Sequence, residues 1–314
     1  MIYISDLREG DRVSGIYLCK NKVNAKTKVG KSYYSLTLQD KTGTVDAKVW
    51  DLSSGIDHFE AMDFIHVEGD VTVFQGVNQL NIRRIRKAHE GEYEQADYLP
   101  STKFDEEEMK TELLAFVRSV KNTHLRGLLE SFFVEDKDFW KEFCLHSAAR
   151  SVHHSFVGGL LQHTLRVTQL CDFYCRQYSA LHRDLLISGA LLHDIGKTKE
   201  ISNFPENDYT DAGQLIGHIV IGYEMITERI RKMPGFPEKL ANELGHLILS
   251  HHGELEYGSP KKPALLEAVA LHHADNTDAK LELVTELVEN AVSGSWLGYQ
   301  KLIESNLRKT SDPE

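Results

Sequence analysis

Long apolar runs are missing from this chain of 314 residues. No stretch approaches the roughly 20 apolar residues that a membrane-spanning helix requires, so an integral helical membrane protein is excluded. The opening MIYISDLREG has no charged start followed by an apolar segment, and no secretory signal is expected from it. Cysteine is scarce. Cys19, Cys144, Cys171 and Cys175 form no CxxC pair, which excludes a disulfide scaffold and a cysteine-built zinc finger. Cys171 and Cys175 sit four apart on one expected helix and read as small core residues. These absences fit a reducing cytoplasm. An excess of positive charge is missing too: the net charge is −11, which argues against a broadly basic nucleic-acid binder. There is no internal repeat and no low-complexity segment. What remains is a soluble type of chain, long enough for two domains with a sizeable core.

The charge is unevenly spread. Residues 1–89 carry thirteen Lys/Arg against eleven Asp/Glu, so the remainder holds −13. Lys20–Lys48 contains seven lysines against Asp40 and Asp46. Such a patch on an acidic chain is either a nucleic-acid footprint or a solvated loop. The same region alternates apolar and polar residues, rich in Val, Ile, Tyr and Phe, over Arg12–Leu18, Ser32–Gln39, Thr44–Val49, Phe64–Phe74 and Asn78–Ile85. Five short strands in about 80 residues predict a small barrel. Residues 88–104 are polar, with a Gly and a Pro, and read as a linker. From Asp105 onward the periodicity is helical. Helices are expected over Glu106–Lys121, Leu125–Val134, Asp138–Ala149, Ser155–Tyr178, Arg183–Gly196, Gln214–Met233, Pro237–His252, Pro263–Asn276 and Lys280–Asn290. The polar stretch Thr198–Gly213 is expected to overhang the functional site as a loop.

The helical part carries its chemistry in histidine and aspartate. His193-Asp194 ends the apolar run Leu191-Leu192 and precedes Ile195-Gly196-Lys197. An ionised carboxylate in apolar surroundings is costly without a compensating cation or hydrogen-bonded partner, and a divalent metal supplies one. His163, His218, His251, His252 and Asp275 add donors at the ends or inner faces of successive helices. Singly, His163 shares an apolar stripe with Leu160, Val167, Leu170 and Tyr174 and would pass for a hydrogen-bonded core residue. As a set of seven, these nitrogen and oxygen donors suffice for two metals, and they suit Mn, Fe, Co or Zn better than Ca. Lys197, one turn past His193, reads either as a cation at a helix end or as a partner for a phosphate oxygen. His154, before Gly158-Gly159, is open between phosphate contact and structure. His272 and His273 are read as helix-surface residues or supports for a ligand, and His146, His153, His182 and His246 as ordinary structural histidines.

Residues 154–290 resemble the HD superfamily of metal-dependent phosphohydrolases, on the phrases His154-Ser-Phe-Val-Gly-Gly-Leu-Leu-Gln-His163-Thr, His193-Asp194-Ile-Gly-Lys197, His251-His252-Gly-Glu-Leu-Glu-Tyr-Gly-Ser-Pro260 and Ala274-Asp275-Asn-Thr-Asp278-Ala-Lys280. The resemblance implies one metal on His163, His193, Asp194 and Asp275, and a second on His218, His251 and His252, with Asp194 bridging. It also tilts Lys197 towards catalysis. The phrase Tyr34-Ser-Leu-Thr-Leu-Gln-Asp40-Lys-Thr-Gly43-Thr-Val-Asp-Ala-Lys-Val-Trp50 resembles OB-fold nucleic-acid-binding domains over residues 10–87. OB-folds stack bases on aromatics along a positive groove, so Tyr33, Tyr34, Trp50 and Phe74, with Lys28, Lys31, Lys48 and Arg83, are the candidate contacts. Tyr33 and Tyr34 are adjacent on a strand and must face opposite ways.

An OB-fold ahead of a dinuclear-type HD domain, with the phrase HHGELEYGSP, resembles the YhaM family of bacterial exoribonucleases. That resemblance implies a multidomain α and β fold: an OB-type barrel (1–87), a linker (88–104), a helical connector (105–150), an all-α HD bundle (151–295) and a C-terminal helix and tail (296–314). It further implies removal of nucleotides from the 3′ end of single-stranded RNA, and of single-stranded DNA, as 5′-monophosphates, with two divalent ions, Mn foremost. No membrane is implied as a partner, and association with further copies of the chain is left open. Two other readings stand beside it. One is a cyclic-dinucleotide or nucleotide phosphohydrolase, which would need no OB-fold; the cyclic-dinucleotide form would also be expected to carry D-G-x-G-Y-P after His251-His252. The other is an RNA-binding protein with a non-catalytic HD domain, which would be expected to have lost ligands.

Overall fold

The computed structural model describes residues 2–27, 30–74, 76–94, 97–99, 102, 104–150, 156–289, 291–301 and 303–311. The chain divides into two compact units, one centred on Met1–Ser101 and the other on Thr102–Asn203 and Asn207–Glu314. Among the described residues, no helix is long and apolar enough to cross a membrane.

The first unit is a closed five-stranded barrel of OB type, formed by β1 (Arg12–Lys26), β2 (Ser32–Asp40), β3 (Gly43–Val49), β4 (Phe64–Phe74) and β5 (Val77–Lys87) in the order β1-β2-β3-β5-β4. A bulge between Cys19 and Asn21 lets β1 bend, so that Arg12–Leu18 pairs with β4 and Leu18–Lys26 with β2. Parallel pairing of Asp46–Lys48 with Gln79–Asn81 closes the barrel. The alternation seen in the sequence fills its interior: Leu36, Leu38, Val45, Ala47 and Val49 point inward with Tyr17, Ile65, Val67 and Leu80. Each of the Leu, Ile and Val side chains contributes about 1.5–3 kcal/mol by leaving water.

The expected linker is in large part a piece of this unit. Ala88 N–H bonds the Phe64 carbonyl, Tyr93 stacks on Phe64 at 4.0 Å, and Gln39 donates to the Tyr98 carbonyl. Tyr98 and Leu99 are only 4% and 2% exposed. Two apolar residues in a polar stretch carry no periodicity, which is why the sequence conceals them.

The second unit is helical: α1 (Glu106–Ser119), α2 (Thr123–Glu130), α3 (Lys137–Leu145), α4 (Gly159–Gln177), α5 (Arg183–Leu192), α6 (Lys197–Glu200), α7 (Asp211–Leu215), α8 (His218–Arg231), α9 (Glu238–Ser250) and α10 (Leu266–Glu289). Asp105 and Asn122 cap α1 and α2, and a π-helical turn over Ser131–Glu135 continues α2. One apolar core joins α1–α5 with α8–α10 through residues such as Leu113, Phe143, Leu160, Leu191, Leu247 and Leu271.

Three expectations need correction. The two helices expected over Pro263–Asn276 and Lys280–Asn290 are one, α10, because Asp278 at the supposed break is buried and bonded to His163. The loop Thr198–Gly213 contains helix at both ends and a bridge between Ile201 and Tyr209. The C-terminal stretch from 296 is not a helix but an antiparallel pair, β6 (Trp296–Gln300) and β7 (Ser305–Arg308). Gly298 at φ +81° breaks a helix there, and Trp296 and Tyr299 favour extended backbone.

Candidate metal centre

Four helix ends and one helix interior converge on Asp194. His163 lies on the first turns of α4. His193 and Asp194 follow α5 directly, His218 opens α8, and His251-His252 close α9, where Gly253 at φ +79° turns the chain away. Asp275 sits inside α10. The close approach of these ends depends on Gly196. A Cβ there would fall on the His218 carbonyl oxygen and lie 2.7 Å from the Gly222 nitrogen.

Within the site the donors form two trios. His163, His193 and Asp275 offer ligand atoms within 4.8 Å of one another, and so do His218, His251 and His252. Asp194, 1% exposed, lies between them. Its Oδ2 is 3.3 Å from Nε2 of both His163 and His193. Its Oδ1 is 3.4 Å from His218 Nε2 and 3.7 Å from His251 Nε2. Asp275 Oδ1 is 3.2 Å from His163 Nε2.

All five imidazoles are oriented alike. Nδ1 of His193, His251 and His252 faces the carbonyl oxygens of Ala190, Ile248 and Tyr257 at 2.7–2.8 Å. Nδ1 of His163 faces Asp278 Oδ2 at 2.7 Å, and that of His218 faces Glu200 Oε1 at 2.9 Å. These oxygens can only accept, so each Nδ1 donates, and a neutral ring then turns its Nε2 lone pair to the centre.

Among the described residues, Asp194 Oδ1, His218 Nε2 and His251 Nε2 are buried without a hydrogen-bond partner. Each such group costs about 1–3 kcal/mol, and a divalent cation relieves all three at once. The electrostatics agree. Burial alone would raise the pKa of Asp194, but the Lys197 ammonium, 2.6 Å from its Oδ2, and the neighbouring His193 hold it well below the carboxylate range. Burial would lower His163, but Asp194, Asp275 and Asp278 outweigh it and hold the ring well above 6.5. The His163 corner therefore favours positive charge. Burial, joined by neighbouring imidazoles, keeps His251 and His252 below 6.5, as unprotonated ligands must be. Two candidate groups of donors, of types that suit a divalent metal, thus stand on either side of Asp194.

A cavity of about 350 Å³ opens on this centre, lined by His163, Lys197, His252, Tyr257, His272, Asp275 and Asn276 among others. His272 donates from Nδ1 to the His251 carbonyl at 2.9 Å and reaches the cavity; His273 is exposed and takes no part. His146 bonds backbone carbonyls, His182 caps α5, and His246 accepts from Ala264 N. His153 and His154 lie outside the described residues. Sequence reasoning assigned no role to Glu200, Asp278, Tyr257 or Asn276; Asp278 at least stood three residues beyond Asp275, on the same helix face.

On the barrel, the candidates separate by strand face. Tyr33 and Trp50 stack on each other outside at 4.6 Å, and Trp50, 44% exposed, donates from Nε1 to Asn81. Tyr34, partly buried, turns inward against Phe59 beneath the Lys22 ammonium and packs on the barrel core. Phe74, 59% exposed, ends β4 beside Val73 and Val77. Lys31 is exposed, Lys48 is held by Ser35 and Asp46, and Arg83 is bonded to Asp70. Lys28 lies outside the described residues. Lys22 and Lys41 also have acidic partners, Glu60 and Asp97, so the lysine-rich stretch is less free than its composition suggests.

Residues 160–280 match the HD domain family. The 3′-5′ exoribonuclease YhaM of Bacillus pumilus is 34% identical over 289 residues, covering 91% of each chain. This chain belongs to the YhaM family. The YhaM exoribonuclease of Geobacillus is 33% identical over 91% of this chain and 88% of its own. That of Listeria monocytogenes is 33% identical over 93% and 92%. Among solved structures, the second OB-fold domain of replication protein A from Methanococcus maripaludis matches at 19% identity with a TM-score of 0.22, over 29% of this chain and 96% of that one. The YhaM relatives span both units described above, barrel and helical bundle alike.

Proposed function

We propose that this chain is a two-ion 3′-5′ exonuclease of single-stranded RNA, acting also on single-stranded DNA and releasing nucleoside 5′-monophosphates. The observation that carries the reading is Asp194: each of its oxygens faces a different trio of donors, and Oδ1 is buried with no partner. His163, His193, Asp194 and Asp275 would hold one ion, and His218, His251, His252 and the other oxygen of Asp194 the second, Mn being favoured. When bound, the ions activate water and stabilise the entering and leaving oxygens of a phosphodiester. The chain's own part is to hold five rings with Nε2 inward. Lys197 supplies a further cation. Its ammonium lies on Asp194 and borders the cavity, from where it reaches a non-bridging phosphate oxygen. On the barrel, the Tyr33–Trp50 pair with Asn81 offers a π-surface for bases with a polar rim.

The names of the YhaM relatives supply the direction of attack, which ligand geometry does not. The test is to load the full chain with Mn and offer it single-stranded RNA labelled at the 5′ end, a cyclic dinucleotide and a nucleoside triphosphate. The expected result is a shrinking ladder from the RNA with 5′-monophosphate products and slower use of the other two. Cleavage of a circular RNA, or preferential use of the cyclic dinucleotide, refutes the proposal.

A further inference from the structure

Two of the five centre-facing rings are supported by carboxylates, and they are divided one to each trio. Asp278, a turn beyond Asp275 on α10, accepts from His163 Nδ1 at 2.7 Å and stands 3.7 Å from Arg166. Glu200, the last residue of α6, receives two bonds on one oxygen: the backbone N–H of His218 and its Nδ1, both at 2.9 Å. Both carboxylates are buried, which is costly without a purpose-built partner. The backbone around Glu200 is built tightly. A Cβ on Gly213 would fall on the Glu200 carbonyl, and Gly217 at φ +81° presents the N–H and ring of His218 to the same oxygen.

Charge makes the arrangement asymmetric. The His163 trio owns a carboxylate, Asp275, beside its share of Asp194. The trio of His218, His251 and His252 owns none. A doubly charged ion there has only half of Asp194 against it unless Glu200 counts. A carboxylate behind an imidazole also raises its donor strength more than a backbone carbonyl does, and loss of such a partner typically costs 10–100-fold in metal affinity.

We infer that Glu200 and Asp278 are positioning residues, each governing one ion: Glu200 the ion of the three histidines, Asp278 the ion of His163. The inference rests on the two-ion reading above and adds to it which residues set each affinity.

The experiment titrates Co²⁺ into the metal-free full chain, following visible absorption and bound-metal content, with the melting temperature of each metal-free protein as a check on folding. Two equivalents are expected for the native chain. Glu200→Ala should weaken one equivalent by about 10–100-fold and leave the other unchanged, and Glu200→Gln, which keeps an acceptor but not the charge, should fall between. Asp278→Ala should weaken the other equivalent. In a His252→Ala background, which keeps only the His163 ion, Glu200→Ala should change nothing more and Asp278→Ala should weaken the ion that remains. Fewer than two equivalents on the native chain would overturn the two-ion reading and this inference with it. Two native equivalents, with Glu200→Gln indistinguishable from native or Glu200→Ala weakening both ions alike, would overturn this inference alone and leave Glu200 as a cap on α8.

Discussion

Replacing Gly196 with alanine tests how the fold sets the centre. Gly196 stands at φ −64° and ψ −20°, a conformation open to any residue, so its missing side chain serves space alone. A Cβ there lies 2.9 Å from the His218 carbonyl carbon and 2.7 Å from the Gly222 nitrogen, and falls on the His218 oxygen. Resting contacts between carbon atoms are about 3.5–4.0 Å, so α8 must retreat by well over half an ångström. Overpacking a tight interior costs about 1–3 kcal/mol, and the upper end applies because helix backbone cannot rotate aside as a side chain can. In a unit of this size about 3 kcal/mol lowers the melting temperature by about 6–12 °C. His218 is the first residue to move, and its Nε2 is 3.4 Å from Asp194 Oδ1. Misplacement on the ångström scale costs about 10²-fold in rate. The purified Gly196→Ala variant is therefore expected to carry about one ion rather than two, to melt lower and to hydrolyse RNA about 10²-fold more slowly. A variant with native metal content, rate and melting temperature would show that Gly196 does not set the position of His218.

Asp194→Ala removes the carboxylate shared by both trios and leaves the Lys197 ammonium without its partner. Breaking such a buried pair costs about 3–5 kcal/mol, eased here because Lys197 borders the cavity; hydrolysis should vanish while circular dichroism still reports a helical unit, and retained hydrolysis with both ions bound would contradict the assignment. Trp50→Ala should weaken single-stranded RNA binding by about 1–3 kcal/mol per stacked base with little change in melting, whereas Tyr34→Ala, which removes a partly buried ring from the core edge, should cost about 1–3 kcal/mol of barrel stability; equal effects on both readouts would undo the division of faces. Burial is the first cause holding His146, His251 and His252 below the ordinary 6.5, so all three stay neutral in the fold where the unfolded chain binds protons. Their stability contribution is present above pH 6.5 and lost as pH falls through that value towards the folded ones, while His163, raised, opposes it. Metal-free protein should accordingly denature at lower urea at about pH 5.5 than at about pH 7.5, and an equal or higher midpoint at the lower pH would contradict the sign.

The barrel strands were legible because alternation and the turn Asp40–Gly43 are local signals. The far half of β1 was not: Asn21–Lys26 is polar and forms strand only because β2 lies beside it. Tyr98 and Leu99 were hidden in the same way. At the C-terminus, Trp296, Leu297 and Tyr299 fit a helix or a strand, and Gly298 decides for the strand only through its φ. The convergence of His163, His193, Asp194, His218, His251, His252 and Asp275 was legible because few residue types can serve a metal and each stands where a helix ends or faces inward. Glu200 and Asp278 were not, since an acidic residue on a helix ordinarily reads as solvated. Only the packed structure shows that each faces an imidazole. Gly196 shows the same limit: its place beside His193-Asp194 was visible, but its reason, the His218 carbonyl across the interface, is tertiary.

Whether Asp194 is shared between two ions can be seen by anomalous scattering from a crystal of the full chain grown with Mn. Two peaks flanking Asp194 are expected, one among His163, His193 and Asp275 and the other among His218, His251 and His252. A single peak, or peaks that leave either trio without an ion, would contradict the sharing.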